Sequence, residues 1–457
     1  MSNMYSDRRA KLRDRLQSGL ILFFGNEECP MNYVDNTYPF RQDSTFLYFS
    51  GIDRPGLAIV GDLDNGQWTL FGDDLTADNI VWTGPLPTIR EYAKRAAISD
   101  TSPTDNLKNL LENAAKAGRH IHFLPPYRDE HRRKLCQLGI KGDGADLEAS
   151  VSLIMAVSEM RIRKTAYEIV EIERAVGTSL KMHLEAMAMA KPGMNEAQIM
   201  AKVTEIALSN GGSLAFPVIA TTNGHILHNH NYEHTLRSGQ LFLLDAGAAT
   251  DTHYAADLSS TFPVDRTFTQ KQKDIYNIML ASFLTAVDAL KPKVNFMDIH
   301  LMAAKKIVEG LKSLGLMKGD VDEAVAEGAH ALFFPCGLGH LMGLDVHDME
   351  NMGEVYFGYE GRQKSTQFGL KSLRLGRELQ EGFVLTIEPG IYFMPELTDM
   401  WRAEARFMNF INYDALNAYR DFSGLRIEEN FLITDSGCRR LGAAKPRTVE
   451  EVEAIRN

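Results

Sequence analysis

Four carboxylates stand in strand-like stretches whose buried faces should be hydrocarbon. Asp245 closes LFLLD, Asp257 sits in YAADLSSTF, Glu388 follows VLTI, and Glu428 lies inside LRIEENFLI. An unpaired charge on the buried face of a sheet is costly, so each must either turn outward or find a partner. Taken singly, each has a structural reading. A strand-end Asp serves as a turn or cap residue, Glu388 can start a turn at Pro389-Gly390, and Glu428 can alternate outward to water. Taken together, they constrain the fold. If they converge, each pair at ~4 Å repels by roughly 4 kcal/mol at an effective dielectric of about 20. Only cations lying between them make such a gathering stable, and two divalent ions balance four carboxylates in formal charge.

The organisation of the chain offers a route to convergence. From Thr165 onward, Ile169, Ile172, Val176, Leu180, Leu184 and Met187 recur at spacings of three and four, which predicts a long amphipathic helix ended by Pro192-Gly193. Asn195 can cap the next helix, which runs to Gly211-Gly212. About a hundred residues later the theme returns. Thr269 and Gln272 form a possible capping box, one helix runs to Pro292, and another starts after Asn295. Strand-like segments follow each helix pair: QLFLLDAG and HYAADLSSTFPV, then GFVLTIEPGIYF and LRIEENFLIT. Two helix-pair-plus-strands halves around a shared sheet, with a site where they meet, is the expected architecture. Before this region the chain alternates short apolar runs with turn signals, such as GLILFFG, STFLYFSGI and a hairpin signal at Asn65-Gly66. The reading is therefore an α/β (α+β) chain, with a mixed α/β domain over residues 1–157 and a second domain over 158–457.

One neutral imidazole would complete the acidic set. His340 is the candidate, in the run Gly337-Leu338-Gly339-His340-Leu341-Met342-Gly343, where missing side chains permit close backbone approach. That run is not GxGxxG, and the chain contains no HExxH, GxSxG or GxxxxGK(S/T). An oxygen-rich site with one imidazole and no thiolate suits Mn²⁺ better than a structural zinc. A water between two such cations becomes hydroxide near neutrality and can attack a polarised carbonyl. Glu388 could accept its proton, and His347, in GLDVHD, could hydrogen-bond a tetrahedral intermediate.

With these residues in view, LLDAG, AADLSSTFPV, GLGHLMGLDVHD, TIEPGIYF and LRIEENFLIT together resemble the creatinase/aminopeptidase, or pita-bread, metallopeptidases. The likeness extends over nearly the whole chain and is greatest to the proline-specific branch, aminopeptidase P and prolidase. YPFRQDSTFLYFSGIDRPG is similar to their N-terminal domain, and LGLMKGDVDEAVAEGAHALFFP to the approach to the metal histidine of aminopeptidase P. The resemblance implies two divalent metal ions held by Asp245, Asp257, His340, Glu388 and Glu428, with Asp257 and Glu428 bridging. It implies that His228 and His347 contact substrate at the scissile bond, that Arg426 supports the site, and that Arg374 matches the prolidase arginine that captures a dipeptide's carboxylate. It also implies a pita-bread catalytic domain, peptide substrates with proline second, and a homodimer or homotetramer. Two departures stand out. Cys336 occupies a position where the family usually has histidine, and Asp245 and Asp257 are twelve residues apart, one more than expected. A turn near Thr250-Asp251 would absorb the extra residue.

The N-terminal half and residues 314–350 favour an aminopeptidase, whereas Arg374 and the insertion at 394–422 favour a dipeptidase. The reading adopted is an Xaa-Pro aminopeptidase. A metal-free binding protein on the same fold is the alternative of a different class, and the presence of all five ligands argues against it. Composition narrows the field further. With 60 acidic and 49 basic residues the formal charge is −11, which disfavours a nucleic-acid partner. Four scattered cysteines form no disulfide framework or zinc ribbon. The charged N-terminus lacks a signal-peptide pattern, and no apolar run could span a bilayer. The expectation is a cytoplasmic protein with no membrane partner.

Overall fold

Strand pairing in the N-terminal part follows from the hairpin signal. In the computed structural model, which describes residues 2–140 and 148–456, Asn65-Gly66 turns the chain between strands Ala58–Asp62 and Trp68–Phe71. Gly66 takes the positive φ of 78° that the turn requires. Its N–H donates to the Asp62 carbonyl at 2.8 Å. The sheet runs in the order Asp100–Ser102, Trp68–Phe71, Ala58–Asp62, Leu20–Phe24, Ile121–His122. Leu20, Leu22, Val60 and Phe71 pack on Leu107, Leu111 and Leu135 from flanking helices. The run STFLYFS is a helix, Ser44–Ser50, capped by Asp43 on the Phe46 N–H at 2.8 Å and closed by Gly51 at φ 65°. Short apolar runs do not declare their period, and the cap residues decide this one.

The chain divides into one unit of Met1–Met160 with Asn351–Tyr356, and another of Arg161–Glu350 with Phe357–Asn457. Within the second unit the repeat is explicit. Helices Ala166–Met189 and Glu196–Ser209 open the first half, and Gln270–Ala289 and Phe296–Ser313 open the second. Asn195 and Asn295 cap the second helix of each pair, each accepting an N–H at 2.9 Å. Asn195 bridges Thr235, and Asn295 bridges Glu378. Six residues downstream of each bridged residue a buried strand begins, Leu241–Asp245 in one half and Val384–Ile387 in the other. Asp245 and Glu388 both stand four residues beyond those strand starts. This is the two-half pita-bread architecture. Antiparallel strands Ser259–Pro263, Leu241–Asp245 and Ile219–Thr221 form one sheet, and Val384–Ile387, Glu429–Ile433 and Cys438–Arg440 the other. The two meet where Ser259 bridges Glu428, whose N–H donates to the Ser259 carbonyl at 3.1 Å.

A buried ion cluster anchors the loop that follows His340. Arg161 reaches Asp348 Oδ1 at 2.6 Å and Asp345 Oδ2 at 2.9 Å, and Lys164 reaches Asp348 Oδ2 at 2.8 Å. Burial alone would raise the Asp348 carboxyl, but Lys164 and Arg161 hold it below its ordinary value. Removing one member of a buried cluster strands the others without compensation. Asp348→Asn is expected to lower unfolding stability by about 3 kcal/mol or more, measured by urea denaturation. A loss under about 1 kcal/mol would show that the cluster does not anchor the loop.

Candidate metal centre

Each of the four carboxylates stands at or beside the end of a strand. Asp245 is the last residue of its strand, and Glu388 immediately follows Val384–Ile387. Asp257 precedes Ser259–Pro263, and Glu428 falls between Gly424–Arg426 and Glu429–Ile433. The expectation that Asp257 and Glu428 ride within continuous strands is thus corrected. Each sits at an interruption, where the pleat no longer dictates which face the side chain takes. Between Asp245 and Asp257 the chain turns at Asp251-Thr252, and His253 takes a positive φ of 68°. Asn430 pins the Asp257 backbone by accepting its N–H at 3.2 Å and donating to its carbonyl.

His340 arrives from a glycine-rich segment laid against Val384–Ile387. Thr386 N–H donates to the His340 carbonyl at 2.9 Å, and Glu388 N–H to the Leu338 carbonyl at 2.8 Å. A Cβ on Gly339 would lie 2.0 Å from the Thr386 carbonyl oxygen, so glycine alone permits this approach. His340 Nδ1 donates to the Leu341 carbonyl at 3.1 Å, which leaves Nε2 as an acceptor in the neutral ring. That nitrogen faces Asp257 Oδ2 at 3.4 Å, Glu388 Oε1 at 3.6 Å and Glu428 Oε1 at 3.9 Å. The donors form overlapping triads with atoms within 4.8 Å of one another: Asp257, His340 and His347; His340, Glu388 and Glu428; Asp245, Asp257 and Glu428.

The electrostatics of this gathering are those of acidic groups pressed together in a buried place. Burial, then the charges of Asp245 and Glu388, raise the Asp257 carboxyl well above its ordinary range. Burial and the neighbouring carboxylates, Asp257 foremost, do the same to Glu428. Burial lowers His340, keeping it neutral. Asp245 Oδ1, Asp257 Oδ1 and Glu428 Oε1 are buried without any hydrogen-bond partner. Orphaned carboxylate oxygens around an imidazole lone pair fit divalent cations, which reverse the pKa logic by favouring the ionised ligands. Arg426 is the counter-cation within the cluster. It pairs with Asp245, donates to Ser259 Oγ at 2.9 Å and to Tyr392 Oη at 2.8 Å, while Ser259 Oγ donates to Glu428 Oε2 at 2.8 Å.

The remaining sequence candidates lie around this centre. The His347 ring packs on that of His340 with centroids 4.2 Å apart. His228 is largely exposed, and burial followed by the Arg426 charge lowers its pKa, with Asp245 and Arg374 also acting on it. Arg374 donates to Glu350 at 3.0 Å. Burial and the Glu388 charge push the Cys336 thiol up to about 12, so it carries its proton at neutral pH. Sequence reasoning did not reach Ser259, Tyr392, Glu350 or Lys445. Lys445 is buried and donates to the Ser259 carbonyl and to Ser260 Oγ at 2.9 Å, and burial lowers its pKa to about 8. Only the two-residue offset of Ser259 from Asp257 could have signalled any of them. Gly339→Ala is expected to lower stability by about 1–3 kcal/mol and to weaken Mn²⁺ binding. Melting and titration calorimetry read both, and unchanged values would show that the close approach is dispensable.

Comparison with known proteins agrees with this construction. Residues 170–435 match the profile of Metallopeptidase family M24, and residues 5–122 match that of the Aminopeptidase P, N-terminal domain. The human Xaa-Pro dipeptidase is 32% identical over 457 residues, spanning 98% of this chain and 90% of that one. A probable Xaa-Pro aminopeptidase of Emericella nidulans is 31% identical over 431 residues, spanning 92% and 89%. Among solved structures, Escherichia coli aminopeptidase P with the inhibitor Pro-Leu superposes with a TM-score of 0.81 at 29% identity, covering 100% of this chain and 98% of that one. Pseudomonas aeruginosa aminopeptidase PepP gives 0.82 at 25%, with the same coverage. All five gathered donors lie inside the M24 span, and the chain belongs to metallopeptidase family M24, with an aminopeptidase P-type N-terminal domain.

Proposed function

We propose that this protein is a dimetal Xaa-Pro aminopeptidase, releasing the first residue of peptides with proline second. The observation that carries the reading is a buried cluster in which His340 Nε2 faces Asp257, Glu388 and Glu428 while Asp245 Oδ1, Asp257 Oδ1 and Glu428 Oε1 have no hydrogen-bond partner. Asp245, Asp257, His340, Glu388 and Glu428 would hold two divalent cations, Mn²⁺ by the oxygen-rich donor set. Asp257, His340 and Glu428 each belong to two of the overlapping triads, and of these only the two carboxylates have a second oxygen with which to take a shared role. When bound, the cations supply Lewis acidity, lowering the pKa of a water and polarising the scissile carbonyl. Glu388 is the most accessible of the carboxylates facing His340 and is placed to accept and return a proton. His347 donates its Nδ1–H as a hydrogen bond to the Glu350 carboxylate, so its Nε2 is an acceptor in the neutral ring. His228 and His347 are assigned to the substrate at the scissile bond, with Arg426 holding Asp245 in place.

Full-length likeness to aminopeptidase P structures supports the aminopeptidase, and the 32% identity to a dipeptidase supports the dipeptidase as second reading. The reading also includes a homodimer or homotetramer in the cytoplasm, the latter supported by four free thiols. No helix among the described residues is long and apolar enough to cross a membrane. Asp257→Ala is expected to leave less than about a tenth of the wild-type rate, because a shared ligand serves both ions, with circular dichroism unchanged. Chelation should abolish activity and Mn²⁺ restore it. A second assay compares Ala-Pro with Ala-Pro-Ala: cleavage of both supports the aminopeptidase, cleavage of Ala-Pro alone establishes the dipeptidase, and cleavage of neither refutes the assignment.

A further inference from the structure

Glu350 stands outside the donor set and is part of none of the motifs read from the sequence. A single oxygen, Oε2, accepts from His347 Nδ1 at 2.5 Å and from Arg374 Nε at 3.0 Å. The His347 hydrogen bond draws the Glu350 carboxyl down to about 2, so it is ionised at any physiological pH. Arg374 therefore meets the site with its charge already matched. Through that Glu350 oxygen Arg374 is linked to His347, whose ring packs on that of His340 with centroids 4.2 Å apart, so the guanidinium stands beside the centre. A peptide that ends at proline carries a carboxylate just past the scissile bond, and one that continues carries a neutral amide there. An unmatched guanidinium captures a carboxylate strongly through charge-assisted hydrogen bonds. A guanidinium holding Glu350 offers less, and Glu350 itself repels the newcomer, a repulsive element of the kind that sets specificity.

We propose that Glu350 is a specificity-determining and positioning residue: it occupies Arg374 against the carboxylate of a dipeptide and fixes His347 through Nδ1, biasing the site toward peptides that extend beyond proline. The inference rests on the Xaa-Pro peptidase reading above. Its two effects separate kinetically. Loss of the Arg374 contact changes KM for a free acid only, whereas loss of the His347 contact lowers kcat for every substrate by a common factor.

The test uses full-length, Mn²⁺-loaded protein with Ala-Pro and Ala-Pro amide, which share everything but the terminal charge. Wild type is expected to prefer the amide. In Glu350→Gln the ratio of kcat/KM for acid over amide should rise about tenfold or more, as expected for a charged hydrogen bond released to substrate. In Glu350→Gln with Arg374→Met the ratio should fall back, because the guanidinium is gone. Glu350 is 39% exposed, so the substitution leaves the core intact. An unchanged ratio in Glu350→Gln, or a raised ratio that survives in the double variant, overturns the proposal while leaving the peptidase reading standing. No cleavage of either substrate by wild type overturns both.

Discussion

Acceptor atoms crowded into a buried pocket repel one another, and the second unit is built to hold several of them there. The Nε2 lone pair of His340 faces three carboxylates within 3.9 Å, and three carboxylate oxygens have no donor at all. Such an arrangement is unstable as protein alone, because burial removes the water that would otherwise satisfy it. Divalent cations are the economical solution, and the rest of the unit reads as scaffolding for the repulsion until they arrive. Arg426 ties Asp245, Ser259 and Tyr392, Asn430 clamps Asp257, and glycine at 339 lets His340 lie flush on its neighbouring strand.

The scaffold is divided between two chain halves of the same plan. Asp245 and Glu388 occupy equivalent positions, four residues past the start of strands that each follow a capped helix pair. Neither half holds a full donor set. The bridge between Ser259 and Glu428 joins their sheets at the centre, so the full donor set exists only where the halves meet. A buried cation cluster of Arg161 and Lys164 on Asp348 then secures the loop that presents His347.

Much of this was legible in residue order. The helix pairs announced themselves through periodicity from Thr165 and through start signals at Asn195, Thr269 and Asn295, because these signals act within a few residues. Asp245, Asp257, Glu388 and Glu428 stood out as charges in apolar surroundings. Other features were hidden. STFLYFS is a helix because Asp43 and Gly51 bracket it, not because of its apolar content. Glu350 and Lys445 are ordinary charged residues by their neighbours in sequence, and nothing local signals their contacts with Arg374 and Ser259, 24 and 186 residues away.

The sequence by itself determined the chemistry available: four carboxylates and an imidazole in apolar context, and the repeat able to gather them, since hydrophobic periodicity and capping are local properties of the chain. Only the tertiary structure decided which oxygens are left without donors, which face His340 Nε2, and that one Glu350 oxygen serves both His347 and Arg374. Those outcomes depend on distances of a few ångströms between residues far apart in the chain, set by strand interruptions and close packing that no local pattern encodes.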